Sequence, residues 1–431
     1  MSTRVQNGTP MQRGRLPNPE LAGFVPRIVD SVLEIPVYHM RGGTSTGIVV
    51  WHEHLPPELG LREEAIRWLM GVPTAGDDRG NKQTTGLGRG LPTSNKVFIV
   101  DHSSSSDADI TSTLAQLAAE TSAIDWRVNC GNMSAALAMY ALDTGIFKAS
   151  PRTTTMRIYN TNTHVTTDAS VRTPQGTPYI PADTEIPGVM GKFPGVELSL
   201  RNPVGAKTGK LLPTGNTIDL FDGVEASCVD VAVPMVIVNA AELGKTGQES
   251  VEELARDHVL KQRLQTIWVE AGLKMDLRKE NGEPMSAEDL ACSETIPKIC
   301  MVSSPSEDEH ILVRHFTPQV PHNSMAITGG CCLAVACLLP GTVANKLARG
   351  LPALNAKESV TVVQMRNPAG ILRARISASM TAAGVHIKST AYERSSQILL
   401  RGHFPIYRAS TQLQNFGAQW NVGQVYSTIA I

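Results

Sequence analysis

Two stretches of this chain join a strand-like segment to an apolar helix of small residues through a glycine turn, and they stand roughly two hundred residues apart. The first is Val128-Asn129-Cys130-Gly131-Asn132-Met133, running into residues 134–142 and then Asp143-Thr144-Gly145. The second is Ala326-Ile327-Thr328-Gly329-Gly330-Cys331, running into residues 332–339 and then Pro340-Gly341-Thr342. Neither helix has a clear polar face, so each should be buried along its whole length, with other elements around it. The walls are supplied by short β-like runs bounded by turn residues, among them 35–40, 48–51, 96–100, 154–159, 195–200, 227–239, 299–303, 359–365, 371–376 and 397–403. The pattern predicts an α+β protein of two similar halves, each an antiparallel sheet wrapped around a central helix. Residues 1–30, with Pro10, Pro17, Pro19 and Pro26 among polar and arginine residues, read as a flexible tail. The first half is then 31–205 and the second 206–431, with the last residues free to return to the first.

The 431 residues are 42% apolar and 18% charged, enough to bury large cores. With 39 basic against 40 acidic residues, nothing in the charge calls for nucleic acid or an anionic membrane, and a small-molecule partner is expected. No apolar run approaches the roughly 18 residues needed to span a bilayer, and no secretory signal opens the chain, so a cytoplasmic protein, alone or as a homodimer, is expected. The seven cysteines are odd in number and form no CxxC pair, which argues against a disulfide framework or a zinc site. Cys331, Cys332 and Cys337 fall in the second apolar helix and read as buried structural thiols.

A buried helix start presents free backbone N–H groups and the positive end of the helix dipole, a ready place for a carboxylate. Two such ends facing one cleft could hold a polyacid. Removing a proton from carbon beside a carboxylate builds charge on that carboxylate, and fixed N–H donors stabilise it where it develops. Cys130 stands at the first helix start, where the dipole favours a thiolate able to act as base or acid; it can equally be a small residue in a tight turn. Thr328 holds the equivalent place in the second copy, where a capping hydroxyl is the simpler role. The turn from Arg41 to Gly47 offers glycines for close backbone approach and the hydroxyls of Thr44, Ser45 and Thr46. It matches GxSxG, but the strand-like Ile48-Val49-Val50-Trp51 follows where a nucleophile elbow needs a helix. Gly86-Leu87-Gly88-Arg89-Gly90 is not GxGxxG and opens no helix, so phosphate-bearing cofactors find no support.

Taken in order, Met40-Arg41-Gly42-Gly43-Thr44-Ser45-Thr46-Gly47, Gly86-Leu87-Gly88, Thr93-Ser94-Asn95-Lys96, Asn129-Cys130-Gly131-Asn132, Leu211-Leu212-Pro213-Thr214-Gly215-Asn216 and Ile327-Thr328-Gly329-Gly330 resemble the signatures of the PrpF-like 2-methylaconitate isomerase family. The resemblance implies the diaminopimelate epimerase fold, with two pseudo-symmetric halves and the active site between them. It also implies cofactor-independent, metal-free cis-trans or allylic isomerisation of acids such as 2-methylaconitate, aconitate, methylitaconate or oxalomesaconate, by removal and return of a proton. On this chain, Gly43, Thr44, Ser45, Thr93, Ser94, Asn129, Gly131, Asn132, Thr328, Gly329 and Gly330 would line the acid site. Pro297-Lys298 also looks like a family position, with no role evident from sequence. The family turn usually carries a lysine, taken as a catalytic base, where this chain has Thr46. Threonine is no ordinary base near neutral pH, which leaves Lys82, Lys96, His322 and Cys130 as candidates. The late family motif His-Pro-Ser-Gly is altered to Asn367-Pro368-Ala369-Gly370, and the preceding Arg366 could bind a carboxylate or be merely solvated.

The leading expectation is an isomerase of an unsaturated di- or tricarboxylic acid, with Cys130, Lys96 and Thr46 as the catalytic positions and His322 among the binding residues. Two alternatives remain: a carboxylate-binding protein that lost its base with Thr46, and an amino- or hydroxy-acid epimerase, which would need two opposed bases.

Overall fold

The computed structural model describes residues 15–425 except 179, 280, 294, 318 and 319. Contacts divide the chain into two units, one running to Thr184 and including Gly191–Val196 and the chain from Arg394 on, the other comprising Glu185–Met190 and Glu197–Glu393. The tail expected at 1–30 falls partly outside the described residues. From residue 15 onward the chain is packed, because Leu16, Leu21 and Val25 are buried and Arg27–Val29 pairs with the next strand.

The first unit contains β1 (Arg27–Val29), β2 (Val32–Gly42), β3 (Ser45–Trp51), α1 (Leu59–Met70), β4 (Lys96–His102), β5 (Ile110–Leu117), β6 (Ile124–Asp125), α2 (Gly131–Asp143), β7 (Arg152–Asn160), β8 (Val165–Thr173) and β9 (Ala182–Thr184). Strand β10 (Phe193–Arg201) follows. The second unit contains β11 (Asp219–Phe221), β12 (Val224–Val231), β13 (Val233–Asn239), α3 (Val251–Arg256), α4 (His258–Lys274), α5 (Ala287–Cys292), β14 (Lys298–Ser303), β15 (Ile311–Thr317), β16 (Val320–Pro321), α6 (Ile327–Leu338), α7 (Val343–Leu347), β17 (Ser359–Asn367) and β18 (Gly370–Thr381). Strand β19 (Gly384–Ile406) pairs first with β18 and then with β2, and α8 (Thr411–Val425) ends the described chain.

Within the first unit β2 and β3 are antiparallel, β3 and β4 parallel, β4 and β5 antiparallel, β5 and β7 parallel, and β7 and β8 antiparallel. The second unit runs β12, β13, β14, β15, β17, β18 with the same alternation. The expectation of antiparallel sheets is therefore corrected to mixed sheets. The cause is the connections: β3 reaches β4 through α1, β13 reaches β14 through α3, α4 and α5, and the central helices α2 and α6 bridge the other parallel pairs. Such crossovers return the chain to the same end of the sheet, as parallel pairing requires.

Burial follows the pleat. On β12, Val229 and Val231 face the core built on α6, while Val224, Ala226 and Cys228 face the core built on α4. Both faces are covered, which is why these strands read as nearly unbroken apolar runs. As expected, Cys331, Cys332 and Cys337 are buried, and all seven cysteines are free. Among the described residues no helix is long and apolar enough to cross a membrane.

Helix α2 lies so close to the β2–β3 hairpin that a side chain on Gly42 would put its Cβ 2.7 Å from the Asn132 carbonyl oxygen and 2.8 Å from the Met133 Cα. These are backbone atoms and cannot swing aside. Gly42→Ala should therefore cost about 1–3 kcal/mol, the usual range for overpacking. Urea unfolding of the variant against wild type measures this, and a change below about 0.5 kcal/mol, the ordinary surface range, would contradict the close approach.

Candidate active site

The β2–β3 hairpin is tighter than the sequence suggests. The ladder continues to the Gly42–Ser45 pair, leaving Gly43 and Thr44 as a two-residue loop with Gly43 at φ +54°. This positive φ suits glycine. The loop meets the start of α2: Asn132 Nδ2 donates to Thr44 Oγ1 at 3.3 Å, and Arg394 Nε donates to Asn132 Oδ1 at 2.9 Å.

Cys130 is the N-cap residue of α2, and its side chain makes no capping hydrogen bond. Its backbone N–H is held by Asn129 Oδ1 at 2.7 Å, and its Sγ lies 3.8 Å from Ser45 Oγ. The thiol is therefore half-buried beside the open first turn of the helix, whose N–H groups have no side-chain acceptor at the cap.

Lys96 opens β4 and is buried. Its Nζ donates to the Pro92 carbonyl and to Gln116 Oε1, and Gln116 in turn donates to the Asn95 carbonyl at 3.0 Å. No carboxylate is among these partners. Burial pushes the Lys96 pKa down and favours the neutral amine, while the nearby Cys130 pulls it back up. Gly47 makes room for this lysine, since a Cβ there would sit 2.6 Å from the Lys96 carbonyl oxygen.

The other expected residues of this unit divide. Ser45, Asn129, Gly131 and Asn132 gather with Cys130 at the helix start. Thr93 is exposed and contributes its carbonyl to the Thr46 N–H at 3.0 Å, and the Ser94 hydroxyl donates to the Leu91 carbonyl. Thr46 follows Ser45 on β3 and so points to the opposite face of the strand. Arg366, the residue that could have bound a carboxylate, is engaged by its own chain, with Glu309 at 2.8 Å and Glu307 at 2.5 Å. Burial pushes the Glu309 carboxyl up, but the backbone N–H groups of the Ser306 turn and the Arg366 guanidinium outweigh it and bring the pKa down to about 2.

The second unit has its own cluster around the start of α6. The N-cap residue is Ala326 and no side chain caps the helix, so the capping role considered for Thr328 is corrected: Thr328 lies inside the first turn. Beneath it is His315, 1% exposed, with neither ring nitrogen hydrogen-bonded among the described residues. A Cβ on Gly329 would lie 2.9 Å from its Cε1. The His322 ring stands 5.8 Å from that of His315, and its Nδ1 accepts from the Ser324 N–H at 2.9 Å. Burial lowers the pKa of both imidazoles. Lys298, the family position without an evident role, opens β14 as Lys96 opens β4; burial brings its amine down to about 8. Sequence reasoning missed its burial, although a lysine leading straight into Ile299-Cys300-Met301-Val302 was a usable signal. Among the described residues no group of three or more histidine, cysteine or acidic side chains could hold a metal ion.

The sequence profile of the family described as PrpF protein matches residues 32–407. A 4-oxalomesaconate tautomerase of Pseudomonas putida is 35% identical to the chain over 73% of its residues and 82% of the relative. A 2-methyl-aconitate isomerase of Shewanella oneidensis is 27% identical, over 86% of the chain and 96% of the relative. Among solved structures, a methylitaconate-delta-isomerase superposes with a TM-score of 0.75 at 27% identity, covering 87% of this chain and 96% of the other.

The depressed pKa of Lys298 has a stability consequence. Between about 8 and the ordinary 10.5 the unfolded chain binds more protons at this residue than the folded one, so its contribution to stability rises with pH across that window. Comparing wild type with Lys298→Met by urea unfolding at several pH values, the difference should move toward the wild type as pH rises from about 8 to 10, by at most roughly 3 kcal/mol. A pH-independent difference would mean that the amine is fully hydrated.

Proposed function

The chain belongs to the PrpF family, and from that premise we propose that it moves a proton on the carbon skeleton of an unsaturated di- or tricarboxylic acid of the aconitate or methylaconitate type. The chain is an isomerase of unsaturated carboxylic acids, in line with relatives named 2-methyl-aconitate isomerase at 27% identity and 4-oxalomesaconate tautomerase at 35%. The finer reading rests on one observation: buried Lys96 packs against Gly47, two residues along β3 from Ser45, whose Oγ lies 3.8 Å from Cys130 Sγ at the open start of α2.

In this reading the neutral Lys96 amine takes the proton from carbon next to a carboxylate. The electron pair of that C–H bond delocalises into the carboxylate and the double bond, and the N–H groups at the start of α2, with the hydroxyls of Thr44 and Ser45, stabilise the charge. The Cys130 thiol then gives its proton to the far end of the allyl unit, or to the original carbon after rotation. The Lys96 ammonium finally reprotonates the thiolate, so both groups finish as they began. Every step is a proton transfer, and the reaction calls for no cofactor or metal.

Lys96 and Cys130 belong to one unit and would serve one face of a planar acid. That suits an allylic shift or rotation about the double bond better than epimerisation, which needs groups on opposite faces. Thr46 has no part, since Lys96 supplies the base that the altered turn lacks. In the second unit Thr328, Gly329, Gly330 and His322 offer carboxylate-binding groups of their own. We take the matching strand orders of the two units, from β2 to β8 and from β12 to β18, as two copies of one pseudo-symmetric arrangement.

Proton NMR in deuterated buffer with cis-aconitate, trans-aconitate, 2-methylaconitate and itaconate-type acids tests the proposal. New olefinic signals with deuterium at the exchanging carbon are expected. Cys130→Ala and Lys96→Met should each lower kcat by about 100-fold or more, the range for a lost general acid or base, whereas Thr46→Val should keep most of the activity. Full activity in Cys130→Ala would remove the thiol from the mechanism. If every acid raised the melting temperature and none reacted, the chain would be a carboxylate-binding protein.

A further inference from the structure

On the face of β2 turned away from α2 the first unit holds a cavity of about 910 Å³, within the range of small-molecule sites at roughly 300–1,000 Å³. The face follows from the pleat: Tyr38 meets Tyr140 of α2 edge to face, while Val37 joins the core on α1, and His39 shares the side of Val37. The cavity is lined by His39, Lys82, Gln83, Arg89 and Asn95 together with the 86–90 loop, and Cys130 is not among its walls.

The walls are rigidly built. Gln83, 1% exposed, donates from Nε2 to the Met70 carbonyl at 3.0 Å and accepts the Gly90 N–H at 2.6 Å. Gly86 and Gly88 are glycines because a Cβ on either would overlap Gly71 or the Gln83 amide. The loop's backbone donors are already committed: Leu87 N–H to the Leu69 carbonyl, Gly88 N–H to the Met70 carbonyl, and Arg89 N–H to Asn95 Oδ1. The loop is therefore no phosphate-cradling nest, and recognition falls to side chains.

Two of those side chains have unmet demand. Asn95 is 0% exposed and His39 6%, yet Asn95 Nδ2 and His39 Nε2 are buried without a hydrogen-bond partner among the described residues. An amide N–H can only donate, so Asn95 requires an acceptor. At the rim, the side chains of Lys82 and Arg89 are exposed and have no ion-pair partner among the described residues. The one lining acid, Glu120, accepts from the Gly80 N–H at 2.9 Å. A buried amide donor beside an imidazole nitrogen, beneath two unpaired cations, is suited to an anionic oxygen, toward which the imidazole would donate as its Nε2–H tautomer.

We propose that this cavity is a second ligand site, separate from the Cys130 site, that binds a small molecule through a carboxylate or phosphate held by Asn95 Nδ2 and His39 Nε2 beneath Lys82 and Arg89. The site borders the segment that positions the proposed base: Pro92 lines the cavity while its carbonyl accepts from Lys96 Nζ, and Asn95 immediately precedes Lys96.

The test is calorimetric titration of the full chain with citrate and, separately, inorganic phosphate at about 0.15 M salt, where long-range attraction is screened beyond roughly 8 Å. Two variants are compared with wild type. Lys82→Glu/Arg89→Glu alters exposed side chains only. Asn95→Asp keeps the Oδ1 acceptor for the Arg89 N–H and replaces the unpartnered donor with a negative oxygen. Binding of at least one probe by wild type, weakened at least about tenfold in both variants, is expected, since a hydrogen bond to a charged group is worth that much. Citrate alone, phosphate alone or both binding in this manner identifies a polycarboxylate, a phosphate or the shared anion as the ligand. Wild-type binding of neither probe, or unchanged affinity in Lys82→Glu/Arg89→Glu, would overturn the proposal, whether or not the chain isomerises any acid.

Discussion

The close approach of α2 to the β2–β3 hairpin is the constraint on which the first unit depends. Gly42 lets backbone meet backbone, Gly43 leaves room for the Asn132 side chain, and the contact fixes where the first turn of α2 ends up relative to Ser45. A helix with no polar face can be held this way because its small residues, Ser134, Ala135, Ala136, Ala138 and Ala141, let the surrounding strands come near. The same physics explains why Cys130 reaches solvent. The helix is buried along most of its length, but its N-cap residue is only half-buried, and the thiol adjoins an uncapped turn.

Much of this was legible in the chain. The two small-residue helices and their glycine turns announce burial locally, because a helix apolar on all sides has nowhere else to go. The sheet directions were not legible, because parallel pairing depends on where long crossovers return, and no local pattern records that. Residues 251–274 form two helices rather than one, since Asp257 caps α4 and separates it from α3. Its aspartate was visible in the sequence, but its side-chain bond to the Leu260 N–H depends on the local backbone.

The candidate site divides in the same way. Cys130, Ser45 and Asn132 were readable because glycine turns and helix starts mark them. The burial of Lys96 depends on Gln116 and Pro92, which reach it through tertiary structure. Lys96 and Lys298 share one signature, a lysine opening a strand that is apolar on both faces, and each occupies the third strand of its run, β2–β3–β4 in one unit and β12–β13–β14 in the other. In both, the surrounding apolar side chains deny the ammonium its water, and burial drives the pKa down. The loss of lysine at Thr46 therefore leaves the chain with a buried amine, one strand over.

The central claim is that Lys96 and Cys130 act as one proton-transfer unit. A double-mutant cycle on kcat with Lys96→Met, Cys130→Ala and the combined variant measures that coupling directly. The account predicts strong non-additivity, with the double variant losing little more than the worse single variant, because removing either group already breaks the same relay. Losses that multiply would show two independent contributions and contradict it.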